Sequence, residues 1–221
     1  MEKQREIIVA LIDGGLNSNE FEVKESVGLT MKNDMIQIIS NPKNKSNHGI
    51  NVARCIKSIY PNVEFIDINI LDENMESNSK VLLKALEYCK DLNVDIINIS
   101  LGTTNRKYYF KMKRILKQII KNEVIIVAAD SNDGEISYPA NIKEVVKVKG
   151  YGCMDSSKTF YNEGYYYSSN VLSKDLISRK SEEGICGNSI ACGFITGHVC
   201  KTLNKFSFST VKDMLNRGDL I

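Results

Sequence analysis

A turn of small residues at 187–192 (Gly-Asn-Ser-Ile-Ala-Cys) places one serine, Ser189, where the chain enters an apolar helical segment. A serine at a helix start has an exposed hydroxyl, nearby backbone N–H groups and the positive end of the helix dipole beside it. These features suit the nucleophile of an acyl-transfer reaction. Serine is also a common helix cap, so the turn alone predicts a cap at least as well. A catalytic role needs a base, an acid that orients the base, and a second oxyanion donor.

Three polar residues elsewhere in the chain could fill those roles. Asp13 ends a nearly continuous apolar run and precedes two glycines, and Asn132 follows a second apolar run. His48 stands at the amino end of an amphipathic helical pattern. Polar groups at the carboxyl ends of parallel strands converge on the ligand crevice of an open α/β sheet. Turn or surface roles remain the alternatives, because Asp and Asn near Gly are ordinary turn residues.

The elements that must position these residues follow from hydrophobic periodicity. Apolar runs predict strands at 6–12, 63–71, 94–100, 123–129 and 145–148. Helical spacing predicts helices from His48, at 80–92, 105–122 and 190–204, and at 209–215 with Ser209 as the last helix's cap. Residues 16–46 are polar and irregular, with one short edge strand at 35–39. The alternation predicts an α/β fold: three layers, with a doubly wound, mostly parallel sheet and helices on both faces.

At 221 residues the chain is long enough for one sizeable core, and we expect a single domain over residues 1–221. The region at 151–180 is rich in tyrosine and has no clear period. It fits either an extended hairpin or a surface that faces a partner.

Composition excludes several function classes. The net charge is +2 and the densest basic run, at 111–121, has the spacing of one solvated helix face, so we expect no nucleic-acid partner. No apolar run is long enough to span a membrane or to act as a signal peptide, so we expect no membrane partner and a cytoplasmic location. Six cysteines without a Cys-x-x-Cys pair are expected to be reduced, and two histidines without metal-ligand spacing predict neither metal nor cofactor.

Short motifs along the chain resemble, in order, those of the subtilisin-like serine proteases. The aspartate, histidine and nucleophile motifs have counterparts at 10–15 (Ala-Leu-Ile-Asp-Gly-Gly), 48–53 (His-Gly-Ile-Asn-Val-Ala) and 187–191 (Gly-Asn-Ser-Ile-Ala). The segment that lines the family's substrate cleft is similar to 97–102 (Ile-Asn-Ile-Ser-Leu-Gly). The end of the strand that carries the family's oxyanion donor is similar to 128–134 (Ala-Ala-Asp-Ser-Asn-Asp-Gly), and the Tyr-Pro that follows it is similar to 138–140 (Tyr-Pro-Ala). The chain order Asp, His, Ser is that of subtilisin. The resemblance covers roughly residues 6–205.

The resemblance implies a subtilisin-like fold and a serine endopeptidase. Ser189 would be the nucleophile, His48 the general base, Asp13 the residue that orients His48, and Asn132 an oxyanion donor. The resemblance also implies that Ser100, Leu101, Gly102, Ala129 and Ser131 bind an extended peptide or protein substrate, and that Tyr138-Pro139 is a cis peptide.

Several residues depart from the family pattern. Asn51 stands at the position of the family's second histidine, Asn188 replaces a threonine, and Cys192-Gly193 replaces Thr-Pro. Ser131 takes the place of a glycine at the floor of the specificity pocket, where a side chain would narrow that pocket or shift the oxyanion loop. Asp130, Asp133 and Glu135 nearby suggest a basic residue at the cleaved position. The family's calcium-binding insertion has no counterpart in the helix that begins at His48.

The absence of a signal and of a pro-segment, together with the cysteines, predicts a compact intracellular protease with narrow specificity. Its substrate would be a dedicated precursor peptide, with an adaptor as a further candidate partner. A catalytically weak or inactive peptide-binding module on the same fold is the main alternative. A third is an unrelated doubly wound protein that binds a small ligand, although Asp13-Gly14-Gly15 does not continue into a phosphate-binding glycine pattern.

Overall fold

The fold is described from a computed structural model, and the description covers residues 5–44, 46–177 and 185–220. Within these residues one sheet has nine strands. The first five along the chain are β1 (Ile7–Asp13), β2 (Val23–Lys32), β3 (Met35–Ser40), β4 (Val63–Asn69) and β5 (Ile96–Ile99). The other four are β6 (Ile125–Ala129), β7 (Val146–Gly150), β8 (Phe160–Asn162) and β9 (Tyr165–Ser168).

The strand order is β3-β2-β4-β1-β5-β6-β7-β9-β8. Neighbouring strands run parallel except at the two edges, where β2–β3 and β8–β9 are antiparallel hairpins. β1 therefore lies in the middle of the sheet. The carboxyl ends of β1, β5 and β6 come out side by side at one edge.

Helices cover both faces of the sheet. Their bounds are α1 (His48–Ile59), α2 (Ser79–Cys89), α3 (Tyr109–Lys121), α4 (Asn188–Leu203) and α5 (Phe208–Arg217). α2 and α3 pack on the face that carries Ala10 and Ile12 of β1, whereas α1, α4 and α5 pack on the face that carries Val9 and Leu11. Alternate residues of a strand point to opposite faces, so β1 is buried on both. The three-layer, doubly wound prediction is confirmed.

Two elements differ from the sequence prediction. The stretch at 16–46 is not irregular throughout, because it contains the ten-residue strand β2. Near its start, Lys24 and Glu25 are exposed and Ser26 is partly exposed, so the apolar run that identifies a buried strand is missing. The cap of α5 is Ser207 and not Ser209, since the Ser207 side chain accepts a hydrogen bond from the N–H of Thr210.

The tyrosine-rich region forms the hairpin of β8 and β9, one of the two alternatives raised for it. Phe160 and Tyr167 stack across the hairpin with ring centroids 4.7 Å apart. The last residues of that region, 178–180, lie outside the described residues. The Tyr138-Pro139 bond is cis, as the motif implied.

Candidate active site

Three polar side chains from distant parts of the chain form one hydrogen-bonded series. Asp13 is the last residue of β1, His48 the first of α1, and Ser189 the second of α4. Asp13 Oδ1 lies 2.7 Å from His48 Nδ1, and His48 Nε2 lies 2.9 Å from Ser189 Oγ. The predicted nucleophile, base and orienting acid therefore meet at the carboxyl edge of the sheet.

Burial and charge act in opposite directions on the basicity of His48. Asp13 is fully buried and His48 keeps 18% of its side chain exposed. Burial by itself disfavours the imidazolium, but the charge of Asp13 and its hydrogen bond outweigh burial, so the pKa of His48 is raised above its ordinary value. The N–H of Gly14 also donates to Asp13 Oδ1, at 2.6 Å. The carboxylate is thereby held toward His48, and the imidazole keeps Nε2 for the serine.

Ser189 is not the cap of its helix. α4 begins at Asn188, and its N-cap residue is Gly187, which makes no side-chain capping bond. Gly187 has φ 154°, and a Cβ added there would lie 3.5 Å from Ser189 Oγ and 3.6 Å from the side-chain amide of Asn132. Glycine thus leaves the space between the hydroxyl and the amide open, and a side chain there would be strained as well.

Asn132 lies in the loop after β6, beside the nucleophile turn. Its Oδ1 accepts a hydrogen bond from the N–H of Asn188 at 2.9 Å. Because the oxygen is used in this way, the Nδ2 group is the part of the amide left to donate elsewhere. This orientation is the one that an oxyanion donor requires.

Asn188 connects three segments around the site, a role that the sequence did not reveal. Its Nδ2 donates to the carbonyl oxygens of Asp130 and Ser131, at 3.1 and 3.0 Å. Its Oδ1 accepts from the N–H of Gly150, at 2.8 Å. The side chain therefore ties the loop after β6 and the end of β7 to the start of α4. The departure from the family's threonine was visible in sequence, but the three partners were not.

The predicted substrate-binding residues lie along the same edge. Ser100, Leu101 and Gly102 follow β5 directly, and the segment then forms an antiparallel bridge between Thr103 and Tyr138. Ser100 Oγ donates to the buried side chain of Asn98 at 2.7 Å. Ala129 is the buried last residue of β6, and Ser131 follows it in the loop.

Asp130 is not free to bind a basic substrate residue, contrary to one suggestion from the sequence. Its Oδ1 accepts from the N–H of Ser131, from Ser137 Oγ and from Asn141 Nδ2, at 2.8 to 3.0 Å. Its Oδ2 lies 3.7 Å from Lys149 Nζ, and only 4% of the side chain is exposed. Asp133 and Glu135 are exposed and remain available.

In the described part of the chain, no cluster of three or more His, Cys, Asp or Glu side chains could hold a metal ion. No helix there is both long enough and apolar enough to cross a bilayer. The six cysteines are all unpaired, and burial raises the pKa of the Cys55, Cys89, Cys192 and Cys200 thiols.

Among curated proteins, the chain is similar to the cell wall-associated protease of Bacillus subtilis (strain 168). The two are 27% identical over 174 residues, which cover 73% of this chain and 19% of the relative. The chain therefore spans about a fifth of the length of that relative.

Two solved structures show the same fold. A lanthipeptide protease superposes with a TM-score of 0.68 at 19% identity, covering 96% of this chain and 79% of that one. The prenylagaramide maturation protease PagA superposes with a TM-score of 0.63 at 21% identity, covering 97% and 78%. The model of the subtilase family, Peptidase_S8, matches residues 4–216, nearly the whole chain. This match, together with the fold, shows that the chain belongs to the subtilase family.

Proposed function

We propose that this chain is a serine endopeptidase that works through Asp13, His48 and Ser189. The observation that carries the proposal is the unbroken series of hydrogen bonds, 2.7 Å from Asp13 to His48 and 2.9 Å from His48 to Ser189. Each residue type suits its place, because a hydroxyl needs a base within hydrogen-bond reach and an imidazole needs an acceptor that fixes its tautomer.

In the first half of the reaction Ser189 Oγ attacks the carbonyl carbon of the scissile bond. His48 Nε2 takes the serine proton, and the buried carboxylate of Asp13 stabilises the resulting imidazolium. The negative charge that develops on the substrate oxygen is bound by Asn132 Nδ2 and by the N–H of Ser189. His48 then gives its proton to the leaving amine, which departs and leaves an acyl-enzyme.

In the second half a water molecule replaces the amine. His48 removes a proton from the water as the oxygen attacks the acyl carbon, and the same two donors bind the oxyanion. Collapse of this intermediate returns the proton to Ser189 Oγ and releases the carboxylic acid product.

The proposed substrate is an extended peptide that lies along Ser100–Gly102. Ser131 carries a side chain where the family pattern has glycine, and its backbone carbonyl is bound by Asn188. We take the Ser131 side chain, whose Oγ accepts from the N–H of Asp133 at 3.2 Å, to narrow the specificity pocket that the family pattern has at this position, which favours a small residue at the cleaved position. This narrowing, and the fold shared with proteins described as a lanthipeptide protease and a maturation protease, support cleavage of a dedicated precursor peptide. The unpaired thiols support a reducing, cytoplasmic setting.

Covalent labelling with a fluorophosphonate probe tests the proposal, because this probe reacts with a serine that an adjacent base activates. We expect one label per folded chain, on Ser189, and loss of labelling in Ser189→Ala and in His48→Ala. Ser207→Ala is the matched control, since this serine caps α5 and has no part in the site. Labelling that persists in Ser189→Ala, or never occurs in the folded protein, would reject the catalytic assignment.

A further inference from the structure

A cavity of about 450 Å³ lies at the carboxyl end of β4, and no residue of the triad lines it. It is bounded by the β2–β3 hairpin on one side and by the segment from β4 into α2 on the other. Residues that matter for its chemistry are Leu29, Met31, Lys43, Leu71, Asp72 and Val81. The catalytic series does not use it.

The cavity exists because β4 ends before β2 does. β4 pairs with β2 as far as Gly28, opposite Asn69, and β2 continues to Lys32. Directly after β4 the chain is bonded to β1, since the N–H of Ile70 donates to the carbonyl of Asp13 at 2.8 Å. Residues 29–32 of β2 therefore pair with β3 only, within the part of the chain described.

The hydrogen-bond pattern of the hairpin directs backbone groups into this space. The two turn residues, Asn33 and Asp34, have φ of 49° and 60°, which is typical of a two-residue hairpin turn. In such a hairpin the residues that flank the turn form a hydrogen-bonded pair, and pairs then alternate along the ladder. The Asn41 N–H donates to the Ser26 carbonyl, so residues 26 and 41 belong to the same alternating set of hydrogen-bonded pairs as the two residues that flank the turn. Leu29 and Met31 accordingly direct their N–H and C=O groups away from β3 and toward the cavity.

We propose that this open edge of β2 binds an extended segment of the peptide substrate as an added strand, at a site separate from the cleavage site. This inference rests on the proposed function, because it assigns a second binding site to the same substrate. Backbone donors and acceptors in alternation are matched by another extended backbone, which strand addition supplies. Leu71 and Val81 provide apolar walls for aliphatic side chains. Asp72 Oδ1 accepts from the N–H groups of Asn74 and Glu76, which leaves Oδ2 of this exposed carboxylate for a basic side chain.

The cavity is also connected to two residues of the triad. Lys43 lies on the segment that leads to His48, and in that segment Ser46 Oγ accepts a hydrogen bond from the N–H of His48 at 3.3 Å. On the other side, Leu71 Cδ1 lies 3.5 Å from the position of a Cβ on Gly14, the residue after Asp13. A bound segment thus contacts the segment that carries the base at Lys43, and reaches the loop after the acid only through Leu71. A substrate that offers both segments would be held at two places, which accounts for narrow specificity.

Amide hydrogen exchange with a defined peptide tests this site. The probe is acetyl-Lys-Val-Thr-Val-Lys-amide, whose alternation places both valines on one face of a strand. The protein is Ser189→Ala, so that the peptide stays intact. We expect the peptide to slow exchange in a proteolytic fragment that covers residues 28–33.

A pair of proline variants in the same background separates this edge from the outer one. Met31→Pro removes an N–H directed into the cavity but leaves the β2–β3 hydrogen bonds in place, so the peptide should bind about tenfold more weakly. Ile38→Pro is the matched control, because its N–H points to solvent on the exposed side of β3. Binding should be unchanged in it. The exchange measurement itself needs neither variant, so it decides the question even where a proline prevents folding.

Three results would overturn the proposal. The first is slower amide exchange at 100–102 with peptide but not at 28–33. The second is peptide binding that is weakened equally in the two proline variants. The third is slower exchange at 28–33 that occurs without peptide and increases with protein concentration. The last of these would mean that a second copy of the chain covers the edge. Because binding is measured without hydrolysis, failure here is distinguishable from failure of fluorophosphonate labelling.

Discussion

The charge of Asp13 governs how His48 behaves. Burial opposes a proton on the imidazole, yet the adjacent carboxylate raises the pKa of His48 above 6.5. In the proposed mechanism His48 acts as a base in its neutral form, so we expect activity above this raised pKa and its loss as the pH falls through it. The same carboxylate that strengthens the base therefore limits the acidic end of its working range.

We expect the rate of fluorophosphonate labelling to fall in acid with a midpoint above pH 6.5. In Asp13→Asn the midpoint should move down, because the charge that stabilises the imidazolium is gone and burial remains. The rate at high pH should fall by about 10⁴, the order of magnitude found when a triad acid is replaced in this way. Labelling rates between pH 5 and 9 check both effects. A midpoint that is unchanged in Asp13→Asn would contradict the coupling of the two residues.

A second buried acid, Asp67, lies near the triad without taking part in it. Burial raises its pKa to about 6, its hydrogen bond from Ser26 lowers it in part, and the charge of Asp13 raises it further. Asp67 Oδ1 and Asp13 Oδ2 are both buried and lack hydrogen-bond partners among the described residues. The ionised form of Asp67 is therefore disfavoured in the folded protein.

We expect Asp67→Asn to stabilise the protein at pH 8 but not at pH 4. A folded-state pKa above the ordinary 3.8 means that the contribution of Asp67 is retained below about pH 4 and lost as the pH rises through 6. Asparagine avoids this loss, which is at most about 3 kcal/mol because one pKa unit corresponds to about 1.4 kcal/mol. Urea unfolding of both proteins at the two pH values measures the difference. An effect of the same size at both would rule out ionisation as its cause.

Among the elements, α1 and α4 set the distance between base and nucleophile. His48 begins α1 and Ser189 lies in the first turn of α4, so the separation of the helices fixes that of the side chains. The helices approach so closely that a Cβ on Gly193 would lie 2.9 Å from the carbonyl oxygen of Val52. The Cys192-Gly193 departure from the family pattern thus has a structural role, because glycine permits this contact.

The loop after β6 is held in a different way, by the side chain of Asn188. We expect Asn188→Ala to lower kcat about tenfold with little change in KM, because the oxyanion loop and the nucleophile turn lose their common tie. Asn132→Ala, which removes the proposed donor itself, should lower kcat by about 10²–10³. Steady-state kinetics on a cleaved peptide compare the two variants. A change in KM alone for Asn188→Ala would show that the residue affects only substrate binding.

For the whole molecule, the sequence predicted the elements that are buried on both faces and the residues at their ends. Long apolar runs such as β1 and motifs such as Gly-Asn-Ser identify local environments. They singled out Asp13, His48 and Ser189, whose side chains lie within hydrogen-bond distance of one another in the structure. β2 was missed because this strand, next to the edge strand β3, has an exposed and charged stretch in place of an apolar run. The three bonds of Asn188 and the engagement of Asp130 were also missed, because their partners are set by tertiary packing. The spacing of apolar residues along the sequence carries no information about such contacts.

The site depends on the complete fold, since its residues are far apart in sequence. Asp13 and His48 are separated by 35 residues, and His48 and Ser189 by 141. The central strand β1 packs against helices on both faces, so Asp13 cannot be placed unless both layers of the core are formed.

We therefore expect loss of fluorophosphonate labelling and loss of helical circular dichroism to occur at the same urea concentration. A common midpoint follows if the site is lost only when the domain unfolds as a unit. Labelling that disappears at clearly lower urea would show that the region around Ser189 opens locally while the sheet persists. The comparison needs only one protein preparation and two signals. A second protein, Gly193→Ala, then tests the packing of α1 on α4, because local opening that begins there should shift the labelling midpoint of this variant alone.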